Sequence, residues 1–177
     1  MAVFQSIRNL FSHVPVTEPE LIIPAPECEY SLKPLTSKNL NEVLRLNLRC
    51  FAKGENYTKH TFTYLLNDPQ TLSYQVVTEM NEMVGFIVTM MNADGSAHIT
   101  TIGVSPEHRR RNIAGMMLDY LERALAAKGI TTVVLEVRVG NVAAQNLYRR
   151  GGYACVQRMG RYYSNGEDGF MMMKALV

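Results

Sequence analysis

The sequence predicts an α/β domain, one mixed sheet with helices on both of its faces. Three observations point there. Stretches with helical and strand-like patterning interleave after Tyr30 in the order β-α-α-β-β-β-α-β-α-β-β. Turn and stop signals divide them at Ala93-Asp94-Gly95, Gly129, Gly140-Asn141 and Gly151-Gly152. The chain has 177 residues, 47% of them hydrophobic and 19% charged, which suits one domain with a sizeable core plus an appendage.

Residues 1–30 form the appendage. Val3, Ile7, Leu10, Phe11 and Val14 recur at helical spacing, and Pro15, Pro19, Pro24 and Pro26 forbid that helix to continue. The expectation is a short amphipathic helix on a proline-stiffened arm, packed on the domain or on a partner subunit. A membrane-surface role is disfavoured, because Arg8 is the only base before His13.

Residues 31–177 form the domain. A strand over Tyr30–Leu35 leads to Thr36 and Ser37, either able to cap a helix from Lys38 whose stripe is Leu40, Val43, Leu44 and Leu48. A second helix runs from Thr58 to Leu66, before Pro69. Strands follow at 72–79, 83–91 and 96–104, with turns at Met80–Glu82 and at 93–95. A helix over Ile113–Lys128 turns Ile113, Met117, Leu118, Leu121 and Leu125 to the core, and Gly129 sits at its cap. A strand over Thr131–Arg138, a helix over Val142–Arg150 and two strands, at 153–163 and 167–175, complete the sheet.

Composition excludes several classes. A net charge of +2 demands no nucleic-acid partner, and no apolar run reaches the roughly 20 residues of a membrane span. The start lacks the pattern of a secretory signal. Cys28, Cys50 and Cys155 show no C-x-x-C spacing, so neither a disulfide framework nor a metal site is expected, and the chain reads as cytoplasmic.

Residues 103–118, GVSPEHRRRNIAGMML, carry the first chemistry. A helix start leaves its first N–H groups unpaired and gathers partial positive charge there, so a pyrophosphate is stabilised by main chain alone. Small residues at Ala114 and Gly115 admit a close approach, and Arg109, Arg110 and Arg111 add formal charge. The segment resembles the coenzyme A loop of the GNAT acyltransferase superfamily, Q/R-x-x-G-x-G/A after a strand ending in V-x-P. Val104, Pro106, Arg109, Ile113 and Ala114 match in register. Asn112 departs from it, standing where the first glycine is usual; asparagine is the side chain that best tolerates left-handed backbone.

Residues 135–153, LEVRVGNVAAQNLYRRGGY, read as strand, tight turn, helix and glycine stop, with Glu136 and Arg138 facing away from Val133, Leu135 and Val137. They are similar to the RimI group within that superfamily, the N-terminal acetyltransferases that modify ribosomal protein. Leu135, Glu136, Val137, Arg138, Asn141, Ala144, Leu147, Tyr148, Gly152 and Tyr153 all match, and eleven residues separate Glu136 from Tyr148 as in that group. The likeness covers residues 31–177, including the tyrosine pair and Met-rich end of RYYSNGEDGFMMMKAL.

The resemblance implies acetyl transfer from acetyl-CoA to a primary amine, without metal. It assigns the acetyl and pantetheine end to the main chain of Ile102, Gly103 and Val104, the pantetheine arm to Asn141, and the pyrophosphate to Arg109–Gly115. Glu136 becomes the general base, through a water, and Tyr148 the stabiliser and acid at the departing sulfur. Tyr57 and the pair Tyr162 and Tyr163 become opposite walls for the acceptor, and His98 is either a second base or a satisfied strand histidine. That group usually has a proline and a tryptophan in the loop bearing Tyr57, and this chain has no tryptophan. The expected acceptor is a peptide or protein N-terminus, with a small amine, a lysine side chain or a degenerate acyl-CoA-binding module as alternatives; a homodimer is admitted.

Overall fold

A computed structural model describes residues 22–51 and 56–176. The helix expected near the N-terminus lies outside the described residues. Seven strands and four helices follow one another in the expected order. They are β1 (Tyr30–Pro34), α1 (Leu40–Cys50), α2 (Lys59–Asn67), β2 (Thr71–Thr78), β3 (Met83–Met91), β4 (Ser96–Val104) and α3 (Ile113–Ala126), then β5 (Thr132–Arg138), α4 (Val142–Arg150), β6 (Ala154–Met159) and β7 (Gly169–Ala175). One-turn 3-10 segments at Ser37–Asn39 and Pro106–His108 lead into α1 and into the loop before α3.

The sheet runs β1-β2-β3-β4-β5-β7-β6. Every neighbouring pair is antiparallel except β4 and β5, which are parallel. That parallel pairing is short. Ser96, Ala97 and His98 face Thr132, Val133 and Val134, and there it ends. Beyond it β4 continues to Val104 against β3, while β5 continues to Arg138 against β7. The two central strands therefore part company in the middle of the sheet. A bulge at Thr100, between the pairs Val88↔Thr101 and Thr89↔Ile99, bends β4 at the same level.

Two apolar layers hold the helices. Val43 and Leu46 of α1, with Phe62 and Leu65 of α2, pack on Val77, Phe86 and Val88. On the other face Ile113, Met117, Leu118, Leu121 and Leu125 of α3 pack on Val84, Ile87, Ala97, Val133 and Leu135. β3 lies between both layers and is buried from Met83 to Thr89, which is why it reads as an apolar run without alternation. Each such buried side chain contributes about 1.5–3 kcal/mol of hydrophobic stabilisation.

α3 ends two residues earlier than its pattern suggested. Gly129 takes φ +81°, and the Ile130 N–H turns back to the Leu125 carbonyl at 3.1 Å. Inside, Glu122 of α3 accepts from the Tyr153 hydroxyl at 2.9 Å and from Lys174 of β7 at 2.5 Å, so a buried carboxylate is fully partnered. Burial, and then Glu122, pushes the Tyr153 phenol up. The closing strands are also shorter than expected, because residues 160–168 form a loop of their own. Asp168 pins it by accepting from the Arg161 N–H at 2.8 Å and from Arg158 at 2.9 Å.

Candidate active site

The parting of β4 and β5 places chemistry on both sides of the sheet. Ala97 and Ile99 face α3, so His98 between them faces α1 and α2. Val133, Leu135 and Val137 likewise send Glu136 to the α1 side. The two meet: Glu136 Oε2 accepts from His98 Nε2 at 2.6 Å, with both side chains 9% exposed. The other carboxylate oxygen, Oε1, is buried and has no hydrogen-bond partner among the described residues. A carboxyl group held by one oxygen and open at the other is arranged to accept a proton from an entering donor.

Aromatic side chains surround this pair. Tyr57 follows the α1–α2 loop, is buried, and donates from its hydroxyl to the Thr100 carbonyl at the bulge, 2.9 Å away. Burial pushes its phenol up, and the charges of Glu136 and Tyr162 add to this, which puts all three groups in one neighbourhood. Tyr162 and Tyr163 stand edge to face, ring centres 5.1 Å apart. Tyr163 lies under the Arg138 guanidinium at 3.8 Å, a cation–π contact. Arg138 also holds Glu167 at 2.7 Å and Asn165 at 3.0 Å, and Glu167 accepts the Gly140 N–H at 2.8 Å. Arg138 first, then that N–H, keeps the Glu167 carboxyl below the usual range. Residues 160–168 are thereby fastened to the end of β5. Glu167 and Asn165 gave no sign of this role in the sequence beyond a polar run.

Tyr148 lies on the other face, packed edge to face against Tyr153 with ring centres 5.8 Å apart. It is 5% exposed, and burial pushes its phenol up. Glu136 and Tyr148 thus lie on opposite faces of the sheet. Asn141 caps α4 by accepting the Ala144 N–H at 3.1 Å, and Gln145 donates to the Arg138 and Val139 carbonyls, tying that helix to β5.

At the far end of β4 the chain forms a left-handed turn that opens α3. Asn112 takes φ 58° and ψ 16°, the left-handed conformation expected of it, and Arg110 takes φ 66°. The first helical bond of α3 runs from the Met116 N–H to the Asn112 carbonyl, so the amides of Ile113, Ala114 and Gly115 have no partner within the helix. The three arginines divide their work. Arg109 donates to the carbonyls of Val104 and Cys50, at 3.2 and 3.4 Å. Arg110 is exposed. Arg111 turns to the N-terminal segment and bonds the carbonyls of Ala25 and Pro26 and the Tyr30 hydroxyl. Gly115 has a reason the sequence did not reveal: a Cβ there would stand 2.3 Å from Asn112 Oδ1. Gly103 is likewise closed in: a Cβ there would stand 2.7 Å from the Phe86 ring and 3.1 Å from the Cys50 sulfur. Burial raises that thiol to about 11, which leaves little thiolate at neutral pH.

The free amides at the start of α3 suit a phosphate group, and the diverging strands above them suit an extended chain leading to the Glu136–His98 pair. Among the described residues no cluster suits a metal ion, and no helix is long and apolar enough to cross a membrane.

A split sheet of this order, with free helix-start amides after β4 and the His98–Glu136 pair beside the split, is suited to group transfer. Residues 40–153 match the model of the acetyltransferase (GNAT) family, and the chain belongs to that family. It is 34% identical over 146 residues to the N-alpha-acetyltransferase daf-31 of Caenorhabditis elegans, spanning 78% of this chain and 79% of that protein. Its fold is similar to the ribosomal-protein-S18-alanine N-acetyltransferase of Escherichia coli, with a TM-score of 0.77, 24% identity, and coverage of 84% and 94% of the two chains. It is similar also to a chain of the NatC complex bound to Gag peptide and CoA, with a TM-score of 0.75, 26% identity, and coverage of 84% and 99%.

Proposed function

We propose that this chain moves acetyl from acetyl-CoA to the α-amine of a peptide or protein N-terminus. The observation that carries the reading is the buried Glu136 carboxyl, held by His98 through Oε2 and open at Oε1, beneath the walls of Tyr57 and Tyr162. Acetyl-CoA supplies the activated thioester when bound, and the chain's own residues do the rest. The α3 amides of Ile113–Gly115 would hold its phosphates, and the main chain of Ile102–Val104 in β4, with Asn141, would hold its pantetheine arm.

The acceptor amine must be neutral to attack. An α-amine of pKa about 8 costs roughly 1.4 kcal/mol to neutralise at pH 7, whereas a lysine amine at about 10.4 costs roughly 4.6 kcal/mol. One carboxylate, positioned by His98, suits the first and is strained by the second. With its phenol raised by burial, Tyr148 would serve the cofactor's sulfur as a hydrogen-bond donor and not by full proton transfer. The motif shared by β5 and α4 supports a narrower acceptor, the alanine-first terminus of a ribosomal protein. The three unbridged cysteines accord with a cytoplasmic setting.

The deciding assay gives the enzyme acetyl-CoA and one peptide bearing both a free N-terminus and an internal lysine, beside polyamines. Fragment mass spectrometry is expected to place acetyl on the α-amine, fastest for the first residue that the tyrosine walls accept. Acetyl on the lysine, or on polyamines in preference, overturns the proposal.

A further inference from the structure

Arg111 stands between the two left-handed residues of the turn that opens α3, Arg110 at φ 66° and Asn112 at φ 58°. A side chain in that conformation carries a steric cost, and such backbone persists where its surroundings fix it. Here the turn is fixed from two directions. From the α1 side, Arg109 ties it to the carbonyls of Val104 and Cys50, and Arg49 pairs with Glu107. From the other side comes the N-terminal segment. Arg111 donates to the Pro26 carbonyl at 2.7 Å, to the Tyr30 hydroxyl at 2.8 Å and to the Ala25 carbonyl. The Ala25 N–H donates in return to the Glu107 carbonyl at 3.0 Å, and Tyr30 Oη is bonded to His108 Nδ1 at 2.9 Å. The segment thus grips both ends of the turn, 107–108 and 111, while β1 anchors Tyr30 in the sheet.

We infer that Arg111 is a positioning residue for the coenzyme site, acting through residues 25–30, which form a strap that holds this turn in its phosphate-receiving shape. The arginine is engaged by two main-chain carbonyls and a hydroxyl of its own chain. The inference rests on the proposed use of the α3 start as the phosphate site. It implies a reciprocal effect: a strap that favours the competent turn is itself tightened when the turn is occupied.

The test titrates coenzyme A into the full chain by calorimetry, at low and high salt, for wild type, Arg111→Ala, Arg111→Lys, Tyr30→Phe and the pair Arg111→Ala with Tyr30→Phe. Circular dichroism confirms that each is folded. Arg111→Ala is expected to weaken binding about tenfold, the equivalent of one hydrogen bond lost from the support. Arg111→Lys is expected to weaken it as much, because an ammonium keeps the charge but not the fork that spans two carbonyls and a hydroxyl. The double variant should bind no worse than Arg111→Ala, and the salt dependence should match wild type. Hydrogen exchange at the Ala25 amide should slow when coenzyme A binds wild type and stay unchanged in Arg111→Ala. Full affinity in Arg111→Lys, a flattened salt dependence in Arg111→Ala, or an Ala25 amide indifferent to coenzyme A would each overturn the inference. A wild-type chain that binds no coenzyme A would remove the functional reading beneath it, and is told apart by being visible before any variant is made.

Discussion

Replacing Gly115 with alanine puts a methyl group where the Asn112 amide lies. The new Cβ would stand 2.3 Å from Oδ1, 3.1 Å from Cγ and 3.3 Å from Nδ2, so the whole amide must move. That amide makes no capping hydrogen bond, and swinging it aside costs about 0.5–1.5 kcal/mol of rotamer strain. Alanine in the first turn of a helix gains about 0.5–1 kcal/mol over glycine. The two terms nearly cancel, so Gly115→Ala alone should stay within about 1 kcal/mol of wild type. In an Asn112→Gly background nothing obstructs the methyl, and the gain should appear in full. The cycle is therefore expected to show a coupling of about 0.5–1.5 kcal/mol, with each kcal/mol worth about 2–4 °C in Tm for a chain of this size. Thermal and urea unfolding of the four chains measures it. Effects that add to within about 0.3 kcal/mol would refute the reasoning, because they would mean that the amide does not lie against residue 115. Calorimetry on the same four chains should find Asn112→Gly binding coenzyme A at least as tightly as wild type.

Three further outcomes follow from the geometry. Tyr148→Phe keeps the contact with Tyr153 and removes the hydroxyl, so kcat should fall about 10²–10⁴-fold with little change in cofactor affinity by calorimetry. His108 is held below its usual range by burial and then by Arg111, against the opposite pull of Glu82 and Glu107. The unfolded chain therefore takes up a proton that the folded chain refuses, so this stability is complete above pH about 6.5 and is lost as pH falls through the lowered value. Urea midpoints should drop across that window, and less so in His108→Gln. Gly103→Ala would set a Cβ 2.7 and 2.8 Å from the Phe86 ring and should cost about 1–3 kcal/mol in urea unfolding.

The order of elements was legible because each helix carries an apolar stripe and each strand either alternates or is short and wholly apolar. β5 alternates buried and half-buried residues along its length, and that alone set Glu136 apart from Leu135 and Val137. What periodicity does not encode is who sits beside whom. His98 and Glu136 are 38 residues apart in sequence, and only the brief β4–β5 pairing brings them to 2.6 Å. The destination of Arg111 was hidden for the same reason, since its partners lie 81 to 86 residues earlier. The left-handed turn at Asn112 was readable from residue type, but the reason for Gly115 was not, because it depends on where one side chain comes to rest.

β7 is made after β6 and yet lies inside it, between β6 and β5. During synthesis β5 therefore remains an outer strand, its Arg138 edge unpaired, until residues 169–175 have been made and can thread into place. Up to that moment Glu136 has no strand partner on either flank, because the β4 pairing ends at Val134, and Glu122 of α3 lacks Lys174. The acid–base pair and the far helix are thus completed by the same late event. A chain that stopped before residue 169 would keep most of its core but leave Glu136 on an exposed strand edge open to pairing with other chains.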